Sequence, residues 1–125
     1  MGTEIALYRE SVAWQRGMEL TSAVYAATRS FPVDERFGLT NQLRRASVSI
    51  PSNIAEGKGR NSAGERMYFL GMARGSAFEV ATQLEIALMQ GFGNVGELRQ
   101  AQSLISEILK ILNASIATMR AQKAK

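Results

Sequence analysis

The stretch Arg44-Arg45-Ala46-Ser47-Val48-Ser49-Ile50-Pro51-Ser52-Asn53-Ile54-Ala55-Glu56-Gly57 decides how this 125-residue chain is read. Leu39, Leu43, Ala46, Ile50 and Ile54 form one apolar stripe at helical spacing through it. Pro51 interrupts the backbone hydrogen bonding but not the stripe, so the spacing predicts one kinked helix over about 34–56, with a break near Ser49 as the alternative. Asp34 and Glu35 are acidic residues suited to its N-terminus.

Working outward, three more helices are expected. Ala13, Gly17, Leu20, Val24, Ala27 and Phe31 recur at three- and four-residue steps, giving a first helix over about 4–30 from a start near Thr3 and Glu4. Phe31-Pro32 ends it, because the residue before proline is pushed out of the helical region. After the basic loop Gly57 to Asn61, Ser62-Ala63-Gly64-Glu65 has capping-box spacing and opens a helix over about 63–90. This helix carries Leu70, Ala73, Ala77, Val80, Leu84 and Ala87 and stops at Gly91 and Gly93. Asn94 caps the last, over about 95–121, with Leu98, Ala101, Ile105, Ile108, Leu112 and Met119 on its stripe. Leu104, Leu109, Ile111 and Ile116 widen that surface, so a second face of this helix is expected to be covered. Long helices joined by short loops pack antiparallel, and the fold class expected is an all-α, up-down-up-down four-helix bundle forming a single domain.

Composition narrows the chemistry. Apolar residues make up 46%, enough for one core, and cysteine and histidine are both absent. Disulfides, thiolate and imidazole metal sites, histidine bases and cysteine nucleophiles are thereby excluded. No catalytic residue, metal or cofactor is expected. The N-terminus lacks the pattern of a signal peptide and no segment approaches a membrane span, so a cytoplasmic protein without membrane contact is the expectation.

Arg45, Ser49, Asn53 and Glu56 share one helix face beside the apolar stripe. Gly75, Ser76, Glu79 and Gln83 make a second small and polar line, and the two lines could pair, for instance Arg45 against Glu79. The favoured reading is a polar network of Arg45, Ser49, Asn53, Glu56 and Glu79 that fixes helix register. An acid/base or metal role for Glu56 and Glu79 is disfavoured, because di-iron bundles use Glu-x-x-His pairs. Gly59 to Gly64 has phosphate-loop spacing, but Glu65 stands where the lysine belongs and no strand precedes it.

The net charge is +4, and the excess lies in the middle of the chain and in the tail, where Arg120, Lys123 and Lys125 follow the last acid, Glu107. Arg44, Arg45, Lys58, Arg60, Arg66 and Arg74 face only Glu56 and Glu65 within residues 44–74. Arginine suits bidentate phosphate contact, so these six are the candidate nucleic-acid-binding residues. A solvated face with intersubunit salt bridges is the alternative. The aromatic residues are spread along the chain rather than grouped as a base-stacking platform, and are read as mostly core or interface.

Val12-Ala13-Trp14-Gln15, Phe31-Pro32 with Glu35, Arg44-Arg45-Ala46, the run Ser49 to Gly57, and Gly75-Ser76 with Glu79 together carry a likeness. From about Tyr8 to Met119 the chain resembles the 23S ribosomal RNA intervening-sequence proteins, also called the S23 family. The resemblance implies an up-down bundle assembling as a ring-shaped homopentamer, encoded within ribosomal RNA spacers or standing free in bacterial genomes. It also implies kinship with accessory proteins of diversity-generating retroelements, which bind nucleic acid and a reverse transcriptase through a positive surface. The expected function is therefore a non-enzymatic, homo-oligomeric protein that contacts the RNA or DNA backbone. A protein-interaction scaffold serving a partner such as a reverse transcriptase is the second reading.

Overall fold

A computed structural model describes the backbone of residues 7–124 and the side chains of residues 7–122. Four α-helices carry the fold: α1 (Val12–Thr28), α2 (Leu39–Lys58), α3 (Ala63–Gln90) and α4 (Val95–Ala124). Each packs on its neighbours in sequence, and α4 returns against α1, which closes an up-down-up-down bundle. The shared core includes Leu20, Val24, Leu43, Ile50, Leu84 and Ile108, all fully or almost fully buried.

The expected stripes are the ones that turn inward. Ala73, Ala77, Val80, Leu84 and Ala87 of α3 are buried, as are Leu98, Ala101, Ile105, Ile108 and Leu112 of α4. The wide apolar surface of α4 is explained within the chain. This helix touches both α1 and α3, so Ile116 joins the core while Leu104, Leu109 and Ile111 pack partly buried against it.

Two helix starts differ from the sequence expectation. The first helix does not run unbroken from residue 4: Ser11 is extended (ψ 124°) and its Oγ accepts from the Trp14 amide at 3.2 Å, capping α1 afresh. A 3-10 turn, Tyr8–Glu10, precedes it, with the Tyr8 ring edge-on to Trp14 at 5.2 Å. The start expected at Thr3 and Glu4 lies outside the described residues. The second helix begins at Leu39 rather than Asp34, because Val33–Glu35 closes into a 3-10 turn. Glu35 still serves the helix from outside, its Oε1 accepting from the Leu39 amide at 3.0 Å.

Other boundaries follow the caps. Ser62 Oγ accepts from the Glu65 amide at 3.1 Å, the serine half of the capping box, and Asn94 Oδ1 accepts from the Glu97 amide at 3.0 Å. Gly91 and Gly93 have φ of 72° and 73°, the left-handed conformation that ends α3. At Gly93 glycine is also required sterically, since a Cβ there would lie 2.8 Å from the Phe31 ring. Phe31 is buried and its ring meets Phe92 at 5.9 Å, closing that end of the bundle.

Candidate nucleic-acid interface

Pro51 lies within α2, which is continuous through it from Leu39 to Lys58. A proline has no amide to offer the carbonyl four residues back, here that of Ser47. Thr21 of α1 supplies the missing donor: its hydroxyl reaches Ser47 O at 3.1 Å and shares its proton with Gly17 O at 2.9 Å. The proline ring packs on Gly17, where a Cβ would come within 3.3 Å of the ring carbons. Pro51 thus sits in a clasp between α1 and α2, which accounts for the proline without assigning it chemistry.

The opposite side of α2 meets α3 through polar side chains. Ser49 and Ser76 hydroxyls are 2.8 Å apart, and Asn53 Nδ2 donates to Ser49 O at 2.8 Å and to Ser49 Oγ at 2.9 Å. Gln83 is buried and only loosely engaged with Gln42, at 3.5 Å, leaving its Oε1 without a partner. These pairs fix the antiparallel register, placing residue 49 level with 76 and 42 level with 83. In that register Arg45 and Glu79 are nearly level, yet both are exposed and they form no ion pair. Glu56 is exposed as well and pairs with Arg60 at 2.9 Å. The polar contacts between α2 and α3 therefore join Ser49 with its partner Asn53 to Ser76, and Gln42 to Gln83, whereas Arg45, Glu56 and Glu79 face solvent.

The register also separates the two carboxylates. Glu79 stands level with about residue 46 of α2, ten residues from Glu56 and roughly 15 Å along the axis. They do not converge on a common atom. Among the described residues no group of three or more Asp and Glu side chains comes together as a metal site would need, and no helix is long and apolar enough to cross a membrane.

The six candidate cations divide by location. Lys58, Arg60 and Arg66 surround the turn between α2 and α3, where Arg66 Nη1 donates to Arg60 O at 3.1 Å. Arg9 and Arg120, at the start of α1 and the end of α4, belong to the same end of the bundle. Arg44 lies instead against α1, with Nε donating to Thr28 Oγ1 at 2.8 Å and the guanidinium 4.6 Å from the centre of the Tyr25 ring. Arg74 is turned toward α4, with Nε donating to Asn113 Oδ1 at 2.6 Å and the guanidinium 5.2 Å from Phe78. Arg45 is exposed on the side of α2. The six do not form one surface: three share an end, and three are spread along the flanks.

The aromatic residues divide between core and surface. Phe31 is buried in the core, whereas Phe37, Tyr68 and Phe78 are exposed in the single chain, at 83%, 60% and 47%. Arg36, Arg44, Arg60 and Arg74 lie over Phe37, Tyr25, Phe69 and Phe78 respectively, each within 5.2 Å of the ring centre. The four-residue spacing of Arg74 and Phe78 signals one such pair in the sequence; the Arg44 and Tyr25 pair depends on helix packing and has no local signal. A further cation missed in the sequence is Arg16, which bridges α1 and α4 through Glu107 at 2.9 Å and also reaches Glu19 at 3.1 Å. The hydrogen bond and charge of Glu107, followed by the charge of Glu19, raise the pKa of the Arg16 guanidinium.

The family model described as 23S rRNA-intervening sequence protein matches residues 9–114. The chain belongs to that family. The matched span takes in all of α1, α2 and α3 and most of α4, so it contains both the Pro51 clasp and the basic α2–α3 end. A solved structure from Bacteroides thetaiotaomicron VPI-5482, described as a protein with unknown function from the S23 ribosomal protein family, superposes with a TM-score of 0.75. It is 20% identical and the match covers 84% of this chain and 98% of that one, a likeness that supports the same bundle fold for this family member. No curated protein sequence matches this chain. Neither similar description names an enzymatic activity.

Proposed function

We propose that this 23S rRNA-intervening sequence family protein is a non-enzymatic, self-associating protein that grips the phosphate backbone of RNA or DNA with the basic α2–α3 end of its bundle. The observation that carries the reading is the convergence of Lys58, Arg60 and Arg66 on one turn, with Glu56 and Glu65 the only acids within residues 44–74. Such a cluster attracts phosphate without reading bases, since the sequence carries no base-reading motif. Arg44, Arg45 and Arg74 act secondarily because they are spread along the flanks, whereas Lys58, Arg60 and Arg66 share one turn even though Arg60 pairs with Glu56.

Self-association rests on the outer side of α3. Tyr68, Met72, Gly75, Glu79, Thr82, Ile86 and Met89 follow steps of four and three residues, and all are exposed. That 3.5-residue period is the seam along which helices pack on one another. A ring of five copies, as the family resemblance implies, would repeat the basic end around a common axis and multiply its attraction for a polyanion. Light scattering should then give a mass near five times 13.7 kDa, and Met72→Glu with Ile86→Glu should reduce it to that of one chain.

The test of binding is titration of labelled single and double strands of RNA and DNA at about 50 and 200 mM salt, where phosphate contacts weaken as a power of salt. Steep salt dependence supports the reading. Absence of binding at the lower salt would favour the protein-interaction scaffold, for which the exposed apolar positions on α3 are the specific observation.

A further inference from the structure

Among the described residues the bundle has an open end as well as a closed one. Where α1 begins and α2 ends, small residues drawn from all four helices line an opening: Ala13, Gly57, Ala63, Ala114 and Ser115. They leave a cavity of about 640 Å³, within the range that suits a small ligand. Its apolar walls include Ile54 and Leu70, and Met119 extends them toward the mouth. Lys58 and Arg66 line the same cavity, and none of the described residues lining it is an acid. Arg66 is held in place by its bond to Arg60 O rather than by a carboxylate, so its charge is not neutralised there.

An apolar chamber with two cations and no acid on its wall selects for a particular chemistry. A neutral hydrocarbon would leave the cations without an anion, and a cationic amphiphile would be repelled by them. An anion with a hydrocarbon body satisfies both parts. We propose that the open end of the bundle binds a small anionic amphiphile, its carboxylate on Lys58 and Arg66 and its alkyl chain against Ile54, Leu70 and Ala13. This site does not depend on the nucleic-acid reading, although the two share Lys58 and Arg66, and its test uses no nucleic acid.

The experiment is calorimetric titration of the full chain with decanoate, decanol and decyltrimethylammonium, each below the concentration at which it forms micelles. Decanoate should bind saturably, decanol at least about tenfold more weakly, and decyltrimethylammonium not at all, because a bond to a charged group contributes that order of discrimination. Lys58→Gln and Arg66→Gln, both on the periphery of the fold, should each weaken decanoate several-fold and leave decanol unchanged. Ala114→Trp, which projects a large ring toward the cavity from an exposed position, should block both ligands. Failure of decanoate to bind would overturn the proposal. So would equal binding of the cationic amphiphile, or decanoate affinity indifferent to both the Lys58 and the Arg66 substitutions.

Discussion

The two ends of the bundle are built on opposite plans. At one end Phe31 is buried against Phe92 and against Gly93, whose left-handed backbone brings the chain across the ring. At the other, the small residues Ala13, Gly57, Ala63 and Ala114 line a cavity, and Lys58 and Arg66 stand at its wall. The closed end spends its side chains on packing. The open end leaves its cations and its cavity accessible, so stability should be concentrated at the first and binding at the second.

The sharpest way to break this contrast is Phe31→Ala, expected to lower stability by about 3–5 kcal/mol in a denaturant titration through loss of a buried aromatic side chain. At the open end Ala114→Leu, on an exposed position, should change stability by less than about 1 kcal/mol. Comparable losses at the two sites would remove the distinction.

The glycines of the α3–α4 turn sharpen it further. Gly91→Ala and Gly93→Ala both incur the penalty of a left-handed backbone, about 1–2 kcal/mol. Only at Gly93 would the new methyl also collide with Phe31, whereas nothing lies within 4 Å of the position at Gly91. Thermal melts should therefore show Gly93→Ala to be clearly the more damaging.

A smaller effect is expected midway between the ends, at the clasp. Thr21→Val removes the donor to Ser47 O and should cost about 1–2 kcal/mol. With Pro51→Ala in place, the restored amide of residue 51 can serve that carbonyl, so the cost of Thr21→Val should fall by about 0.5–1 kcal/mol in a double-mutant cycle. An unchanged cost would mean that the threonine acts only within α1, through Gly17 O.

What the sequence made legible follows from how local each cause is. The stripes of α2 and α3 and the caps at Ser62 and Asn94 are encoded within a few residues, and they define the four helices and the bundle. The Ser11 cap is local too, but the continuous apolar rhythm from Ile5 through Val12 and Ala13 masks it. Asp34 and Glu35 carry the composition of a helix start, while their backbone closes a 3-10 turn ahead of the real one.

The candidate site was less legible because it is assembled across helices. Charge counting finds six cations between residues 44 and 74, yet their division into an end cluster of three and three flank arginines depends on how the helices pack. Arg44 reaches Thr28 and Arg74 reaches Asn113, contacts separated by 16 and 39 residues. The cavity is invisible in any single segment, since each helix contributes only a few small residues to it.

On the proposed function, the α2–α3 end, rather than the basic residues as a whole, holds nucleic acid. The most direct measurement compares the salt dependence of RNA binding in the unaltered protein with that of two folded variants. One carries Lys58→Gln, Arg60→Gln and Arg66→Gln, and the other carries Arg44→Gln and Arg74→Gln. The end variant should lose affinity and show a log-log salt slope shallower by about 2–3 on duplex, close to one phosphate contact per cation removed. The flank variant should keep most of the slope. An unchanged slope in the end variant, or an equal loss per cation in both, would contradict the account.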